Sequence, residues 1–343
     1  MKMRRFRIGL LAACGMATAM PSLAQERLAP VSVWGDRTET DPGSLAGLDA
    51  AEIDEILADH PAEILNKLPG VNIQMNSGQE HLVAIRSPVL TGGAGQGSFL
   101  IMENGVPVRS PAFGNVNSLF EPHHEVASGI EVVRGPGSAK YGSNAVHGLV
   151  NVILPEVGSG GQVVASYGTL GRWRTDVTLD EGEHWLAAVS LQKDTGWRDN
   201  TGVDQQKLTL VGDWMLGDWD TTTWLTASNL NQETAGFAQG PDAYKDEDIA
   251  KSNPNPEAYR DAWSARAGAR LSRNLSGGTL TLTDVTYETV MGEVTNTAGY
   301  GTLTLVEQDD GSVVIEIPAT VETTSVTETD GVSIEQTMRM IQD

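Results

Sequence analysis

The sequence predicts a small α+β domain followed by antiparallel, all-β strands of the transmembrane-barrel kind, and three observations carry that expectation. Residues 1–24 have the basic, then apolar, then small-residue pattern of a signal peptide. Helix and short-strand signals between glycine-rich loops fill 45–155. Longer segments of period-two alternation with aromatic ends fill 156–283. Composition agrees: 38 Gly, 15 Pro and 8 Trp in 343 residues favour strands and loops over a helical bundle. With 45 Asp+Glu against 23 Lys+Arg, the formal charge is −22, and basic residues cluster only in the first seven positions. No nucleic-acid partner is expected, because neutralising phosphates needs clustered Lys and Arg.

Lys2, Arg4, Arg5 and Arg7 precede the apolar run 8–20, and Ser22-Leu23-Ala24 places small residues where signal peptidase cuts, before Gln25. A rival reading is a lipoprotein signal, since Leu11-Ala12-Ala13-Cys14 fits the pattern in which cysteine is lipidated. Ordinary cleavage removes the only cysteine, and with it any disulfide or thiolate metal site. It also removes four basic residues, leaving 19 Lys+Arg against 45 acids, a charge of −26. Beyond 24 no run of 18 or more uncharged apolar residues occurs, so a membrane role falls to strands.

Residues 25–44 read as an extended linker in which Leu28-Ala29-Pro30-Val31-Ser32-Val33-Trp34 alternates without a nearby partner strand, and Pro30 favours an exposed position. Asp49 is placed to cap a helix running through Leu57. Asp59-His60-Pro61 opens a second, with Ala62, Leu65 and Leu68 on one face and Pro69-Gly70 as its stop. Strands are expected at 71–75, 81–86, 98–102 (ending at the Asn104-Gly105 turn), 130–134 and 149–154, with loops at 87–97 and 109–120.

In 207–216, Leu208, Leu210, Trp214 and Leu216 oppose Lys207, Thr209 and Asp213. In 259–272, Tyr259, Trp263, Ala265, Ala267, Ala269 and Leu271 oppose Arg260, Ser264, Arg266, Arg270 and Ser272, and 185–191 repeats the pattern through Trp185, Ala187, Val189 and Leu191. A soluble β-sandwich alternates too. Aromatic residues near strand ends, with Arg, Lys and Thr on the opposite face, suit a lipid-facing wall around a wet lumen better. The last 60 residues, 284–343, carry 12 acids against Arg339 alone, many Thr, and a hairpin signal joining 303–308 to 312–318 through Asp310-Gly311.

One run is specific enough to name a family. Residues 130–153, Ile-Glu-Val-Val-Arg-Gly-Pro-Gly-Ser-Ala-Lys-Tyr-Gly-Ser-Asn-Ala-Val-His-Gly-Leu-Val-Asn-Val-Ile, resemble the plug signature of TonB-dependent outer-membrane receptors along their whole length. Leu68-Pro69-Gly70-Val71, Ile85-Arg86-Ser87 and Asn104-Gly105-Val106-Pro107-Val108 resemble that family's helix exit, I-R-G strand and D-G-x-P-V turn, with Ser87 and Asn104 in place of the usual Gly and Asp. The resemblance covers residues 28 to about 280. It implies an α+β plug domain at 45–155 followed by the antiparallel all-β strands of an incomplete transmembrane β-barrel at 156–283, in the outer membrane.

It further implies that 28–35, through Leu28, Ala29, Pro30, Val31, Ser32, Val33 and Trp34, is the TonB box, which offers a strand to a TonB-type inner-membrane energy transducer. Only Gln25 to Arg27 precede it, leaving no room for a signalling domain. Ligand contact is expected from the apical loops, at Gln96, Arg109, Phe113, Asn115 and Asn117, toward a metal chelate, most often a ferric siderophore, or a cobalamin-like molecule. Arg86, Glu131, Arg134 and Tyr141 are expected to brace or gate the plug, the arginines through carboxylates with Glu131 as one partner. Outer-membrane lipid is the other partner. No cofactor and no metal are expected: Glu121-Pro122-His123-His124-Glu125 lacks ligand spacing, and Asp242 to Asp248 lacks that of an EF-hand. No catalytic motif occurs. At about 10 residues a strand, the remainder supplies roughly 8 to 12 strands, against the ~22 the family uses to surround a plug. The last five residues, Arg339-Met340-Ile341-Gln342-Asp343, also lack the family's terminal aromatic strand. The expectation is that this chain alone does not seal a receptor. A truncated receptor fragment with an intact plug but no transport activity, and an exported soluble β-rich carbohydrate- or ligand-binding protein, stand as alternatives.

Overall fold

A computed structural model describes residues 44–88, 98–109, 118–236, 238 and 240–273, together with the backbone of 274–275, 278–294, 304–307, 313–316 and 336–342. The expected signal peptide, the 28–35 box and the loop residues Gln96, Phe113, Asn115 and Asn117 lie outside the described residues.

The N-terminal domain runs β1 (Leu45–Asp49), α1 (Ala50–Ile56), α2 (Pro61–Leu65), β2 (Val71–Met75), β3 (His81–Ile85), β4 (Phe99–Glu103), β5 (Val106–Pro107), β6 (Gly129–Arg134), α3 (Ser138–Tyr141) and β7 (Gly148–Ile153). Both early helices start where their caps dictate. The Asp49 carboxylate accepts the Glu52 N–H at 2.9 Å while Glu52 accepts the Asp49 N–H at 3.0 Å, a reciprocal capping box. His60 Nδ1 accepts the Ala62 N–H at 2.9 Å, and Pro61 fills the first helical position, where no N–H is needed. The main sheet has the order β1-β6-β7-β4-β5, with β2 and β3 as a separate hairpin. β4 and β7 are parallel neighbours buried along their whole length, which is why their sequences read as apolar runs without alternation. Ile64, Leu65, Ile73, Ile85, Phe99, Ile130 and Val150 form the core between the helices and this sheet. β1, for which the sequence gives no strand signal, is an edge strand on β6; five residues with two leucines give no period to detect.

The wall that follows consists of β8 (Gln162–Tyr167), β9 (Trp173–Asp180), β10 (Trp185–Asp194), β11 (Val203–Leu216), β12 (Trp219–Glu233), β13 (Tyr259–Leu275), β14 (Gly278–Val294) and β17 (Gln336–Gln342). Its order is β17-β14-β13-β12-β11-β10-β9-β8, antiparallel throughout. β15 (Thr304–Glu307) and β16 (Val313–Glu316) pair separately as a hairpin, and α4 (Glu247–Lys251) lies in the β12–β13 loop. β14 runs through the boundary expected at 283/284. Its register sets Asp284 and Glu288 opposite Ala269 and Ala265, so the apolar alternation of the earlier strands lapses there and hides the strand.

Tight turns at 181–184 and 217–218 mark one end of this wall, and longer connections at 195–202 and 234–258 mark the other. The outer face exposes Val163, Leu179, Leu210 and Leu225, with Trp173 and Trp263 toward the long-loop end and Trp185 and Trp214 toward the tight-turn end. Lys193, the register partner of Trp173, stands eight residues from Trp185 on β10, about 27 Å along a strand, which suits an apolar band bounded by aromatic girdles. The inner face is polar yet buried: Arg174, Asp176, Ser190, Gln192, Gln205, Lys207, Thr209, Thr226, Ser228, Gln232, Arg260, Ser264, Arg266 and Arg270. A sandwich would pack apolar side chains there. Here the N-terminal domain fills that space with polar partners. Among the described residues no helix is long and apolar enough to cross a membrane.

Candidate functional site

The chemistry of the described residues concentrates along the seam between the N-terminal domain and the inner face of the wall. Two segments of the domain supply it: the end of β4 with its turn, 103–109, and the strap 118–126, which closes in a 3-10 turn at His124–Val126. Asn104 and Gly105 both have positive φ, 53° and 83°, as a tight Asn-Gly hairpin turn requires. The Gly105 N–H is fixed by Asn151 Oδ1 at 2.8 Å, and the Asn104 carbonyl accepts from Arg270 Nη2 at 2.9 Å. That turn sets Glu103 facing the wall.

Arg266, on β13, reaches two carboxylates of the N-terminal domain. Its Nε donates to Glu103 Oε2 at 3.0 Å and its Nη1 to Glu121 Oε2 at 2.9 Å. Thr226 Oγ1 donates to Glu103 Oε2 at 2.7 Å, the His123 N–H to Glu103 Oε1 at 3.2 Å, and Arg109 Nε to Glu121 Oε1. Arg266, Glu103 and Glu121 are 3% exposed or less, so these are desolvated ion pairs whose partners are geometrically committed. A second cluster sits one strand over. Lys207 Nζ donates to Pro122 O and Glu125 Oε2, each at 2.9 Å, and lies 3.2 Å from His124 Nδ1. His123 Nδ1 and Nε2 each lie 2.7 Å from a wall hydroxyl, Thr209 Oγ1 and Ser190 Oγ.

Arg174 pairs with Asp176 on its own strand and donates to the Ala58 carbonyl, while Arg172 makes a two-point pair with Asp59. Toward the long loops, the Gln79 N–H donates to Gln232 Oε1 at 2.7 Å and the Ala235 N–H to Ser77 Oγ at 3.3 Å, so the β2–β3 turn also docks on the wall. Toward the tight turns the seam is apolar: Val106, Leu154 and Val157 meet Leu186, Ala188, Val211 and Trp224. The polar seam is therefore anchored at one end by a dry patch.

Four buried histidines belong to the N-terminal domain. Burial holds His60 and His123 down to about 4 and His81 to about 3, and pushes His124 well below the usual imidazole value. For Glu125, burial favours the neutral acid, but positive charge at His124, when that ring is protonated, and the Lys207 ammonium outweigh it and hold the carboxyl below the usual range. At neutral pH the seam thus contains neutral imidazoles beside an ionised Glu125.

The residues expected to act at the site divide. Arg109 is turned into the seam toward Glu121 and lies over the Phe120 ring at 5.9 Å. Arg134 Nη1 donates to the Pro69 carbonyl at 2.6 Å and its Nη2 to the Leu45 carbonyl at 3.0 Å, and Glu131 accepts from Asn151 Nδ2 at 3.2 Å. Backbone carbonyls converge there because β1 ends against β6, a pairing invisible in the sequence. Arg86 adopts φ 48°, its N–H donating to Gly70 O at 2.8 Å, and Tyr141 packs by Leu100, Met102 and Leu149. The remaining candidates, 28–34, Gln96, Phe113, Asn115 and Asn117, lie outside the described residues. At the long-loop end a cavity of about 360 Å³ is lined by Trp197, Arg198, Asp242 and Tyr244 among others.

Sequence reasoning missed Glu103, His123, His124, Glu125, Lys207 and Arg266 as a working set. The signal was present in 121–125, an ionisable run set directly between buried apolar segments, where burial demands partners from elsewhere. Among the described residues no group of three or more His, Cys, Asp or Glu is placed to hold a metal.

The family model for the TonB-dependent receptor plug domain matches residues 37–149. Solved structures with the same fold include the unliganded ferric citrate transporter FecA, at 15% identity and TM-score 0.58, covering 74% of this chain and 41% of that one. The ferric yersiniabactin uptake receptor FyuA from Yersinia pestis matches at 14% identity and TM-score 0.56, covering 74% and 42%. The ferripyoverdine receptor of the outer membrane of Pseudomonas aeruginosa matches at 14% identity and TM-score 0.59, covering 79% and 37%. The chain therefore spans about two fifths of the length of the structures it resembles.

Proposed function

Because this chain carries the plug domain of the TonB-dependent receptor family, a non-enzymatic family of outer-membrane proteins, and the fold of the wall strands that follow it, we propose that it serves energised uptake of a bulky, scarce nutrient. The observation that carries this reading is the polar inner wall wrapped on the plug. Such a seam holds the pore shut at rest and can be rearranged by exchanging hydrogen bonds with water, without exposing a hydrophobic core. A ferric siderophore is the favoured ligand, supported by the neighbours' named cargoes, with a cobalamin-like molecule as the alternative. In this proposal Gln96, Phe113, Asn115 and Asn117 meet the ligand. Leu28 to Trp34 pair with the TonB-type transducer by strand addition. Arg109, already committed to Glu121, acts in the seam.

Growth rescue by a panel of siderophores and cobalamin, in receptor-deficient cells carrying a full-length version, tests this. One ligand is expected to rescue, and Val33→Pro, which removes an N–H from the pairing strand, is expected to abolish rescue while ligand binding to cells persists. Failure of every ligand sinks the uptake reading. A second reading, a plug on an unsealed wall that does not transport, is favoured by one observation: among the described residues the sheet has two edges, β8 and β17. Heat-modifiable gel migration of this chain alone would overturn that second reading.

A further inference from the structure

We propose that His123 and His124 form an acid-sensitive latch between the plug and the wall, which holds the plug at neutral pH and releases it from β10 and β11 when they take up protons. The geometry fixes their present state. The Lys207 ammonium can only donate, and His124 Nδ1, 3.2 Å away, is placed to accept from it in the tautomer whose hydrogen sits on Nε2, directed at the Ala58 carbonyl at 3.4 Å. A proton added to His124 must enter at Nδ1, facing the ammonium of the opposite body. Glu125 Oε2 lies 3.2 Å from that same Nδ1 but is already paired to Lys207 at 2.9 Å, so two cations would share one buried carboxylate. His123 keeps both hydroxyl partners when protonated, since Ser190 and Thr209 can accept, yet the carboxylates that act on it, Glu125 and Glu103, are already committed to Lys207 and Arg266.

The other charged groups around the latch do not relieve it. Arg174, on β9, adds positive charge and is itself paired with Asp176. Glu103, on β4, is engaged by Arg266, Thr226 and the His123 N–H. His60, in the α1–α2 connection, is a third buried imidazole whose protonation would add to the repulsion. Glu125, held below the usual carboxyl range, stays ionised across the same window and so cannot discharge the excess.

The direction follows from proton uptake. Released histidines bind protons near 6.5 and docked His123 only near 4, so docking is fully supported above about pH 6.5 and weakens as pH falls toward 4. At pH 4.5 that difference makes release close to a hundredfold more favourable per such histidine.

The test is hydrogen exchange of the 118–126 amides in the full chain, in outer-membrane vesicles, between pH 7 and 4, with rates corrected for intrinsic pH dependence. Wild-type protection is expected to fall between about pH 6 and 4. His124→Gln, whose amide oxygen can still accept from Lys207 but cannot be protonated, is expected to retain at least tenfold more protection at pH 4.5. Lys207→Gln removes the opposing ammonium and lets protonated His124 pair with Glu125, so its loss of protection must also move to lower pH. If His124→Gln fails to assemble, Lys207→Gln decides alone. Wild-type protection independent of pH, or variants that follow the wild-type profile, overturns the latch.

Discussion

Arg266→Ala is expected to free the strap 118–126 from the wall and to destabilise the docked plug by about 3–5 kcal/mol, the cost of leaving buried carboxylates without their cation. Arg266 is the wall's link to both Glu103 and Glu121. The deleted guanidinium would leave Glu121 with Arg109 and Glu103 with Thr226 and the His123 N–H, so one carboxylate loses its only charged partner among the described contacts. Denaturant unfolding of the full chain in detergent, read by plug-specific proteolysis, measures the loss. Arg266→Lys should fall between, because a single ammonium cannot reproduce the two-pronged geometry. Combining Arg266→Met with Glu103→Gln should recover much of the stability, since it removes the cation together with the carboxylate it would strand while Glu121 keeps Arg109. Wild-type stability in Arg266→Ala would show that the seam is held elsewhere.

Gly268→Val is expected to disrupt the wall by overpacking where it meets the N-terminal domain. Gly268 and Trp224 are register partners on β13 and β12, and a Cβ at 268 would stand 2.3 Å from Trp224 Cζ2 and 2.5 Å from Cε2. The indole cannot retreat cheaply. It is packed on the plug's Val106, Leu154 and Val157, with the Arg270 guanidinium 5.5 Å over its ring. Overpacking of this kind costs roughly 1–3 kcal/mol or more, and it pushes the indole against the plug at the dry end of the seam. Gly268→Val should therefore lower both unfolding stability and the yield of membrane-inserted chain. Trp224→Ala, destabilising by itself through the cavity it leaves, should make Gly268→Val nearly neutral on top of it. If the two costs simply add, the close approach is not the cause.

The contrast between these two sites also marks what could be read from sequence. Period-two alternation placed Arg266 and Arg270 on the inner face and Trp263 on the outer, because strand geometry gives a side chain no third direction. It could not say what Arg266 would meet, since Glu103 and Glu121 lie far away along the chain and their approach depends on how a separate domain sits in the wall. Gly268, one residue among 38 glycines, carried no signal at all, because its requirement comes from a tryptophan on the neighbouring strand. Local chemistry was the legible part: the Asp49 capping box, Pro61 at a helix start and Asn104-Gly105 at a turn each follow from adjacent residues. The parallel β4–β7 pairing and the edge strand β1 were not legible, since both are decided by long-range contact.

The same Asn104-Gly105 turn has a bearing on how the protein ages. Asn-Gly is the dipeptide most prone to spontaneous deamidation, in which the glycine nitrogen attacks the asparagine side chain to form a succinimide. Here the Gly105 N–H is occupied by Asn151, the Asn104 carbonyl is held by Arg270, and Asn104 is only 5% exposed. A seated plug thus shields its weakest peptide, while a plug that has left the wall loses the Arg270 contact. Isoaspartate at position 104, read by mass spectrometry, should accumulate only where both the Asn151 bond within the domain and the Arg270 contact across the seam are lost.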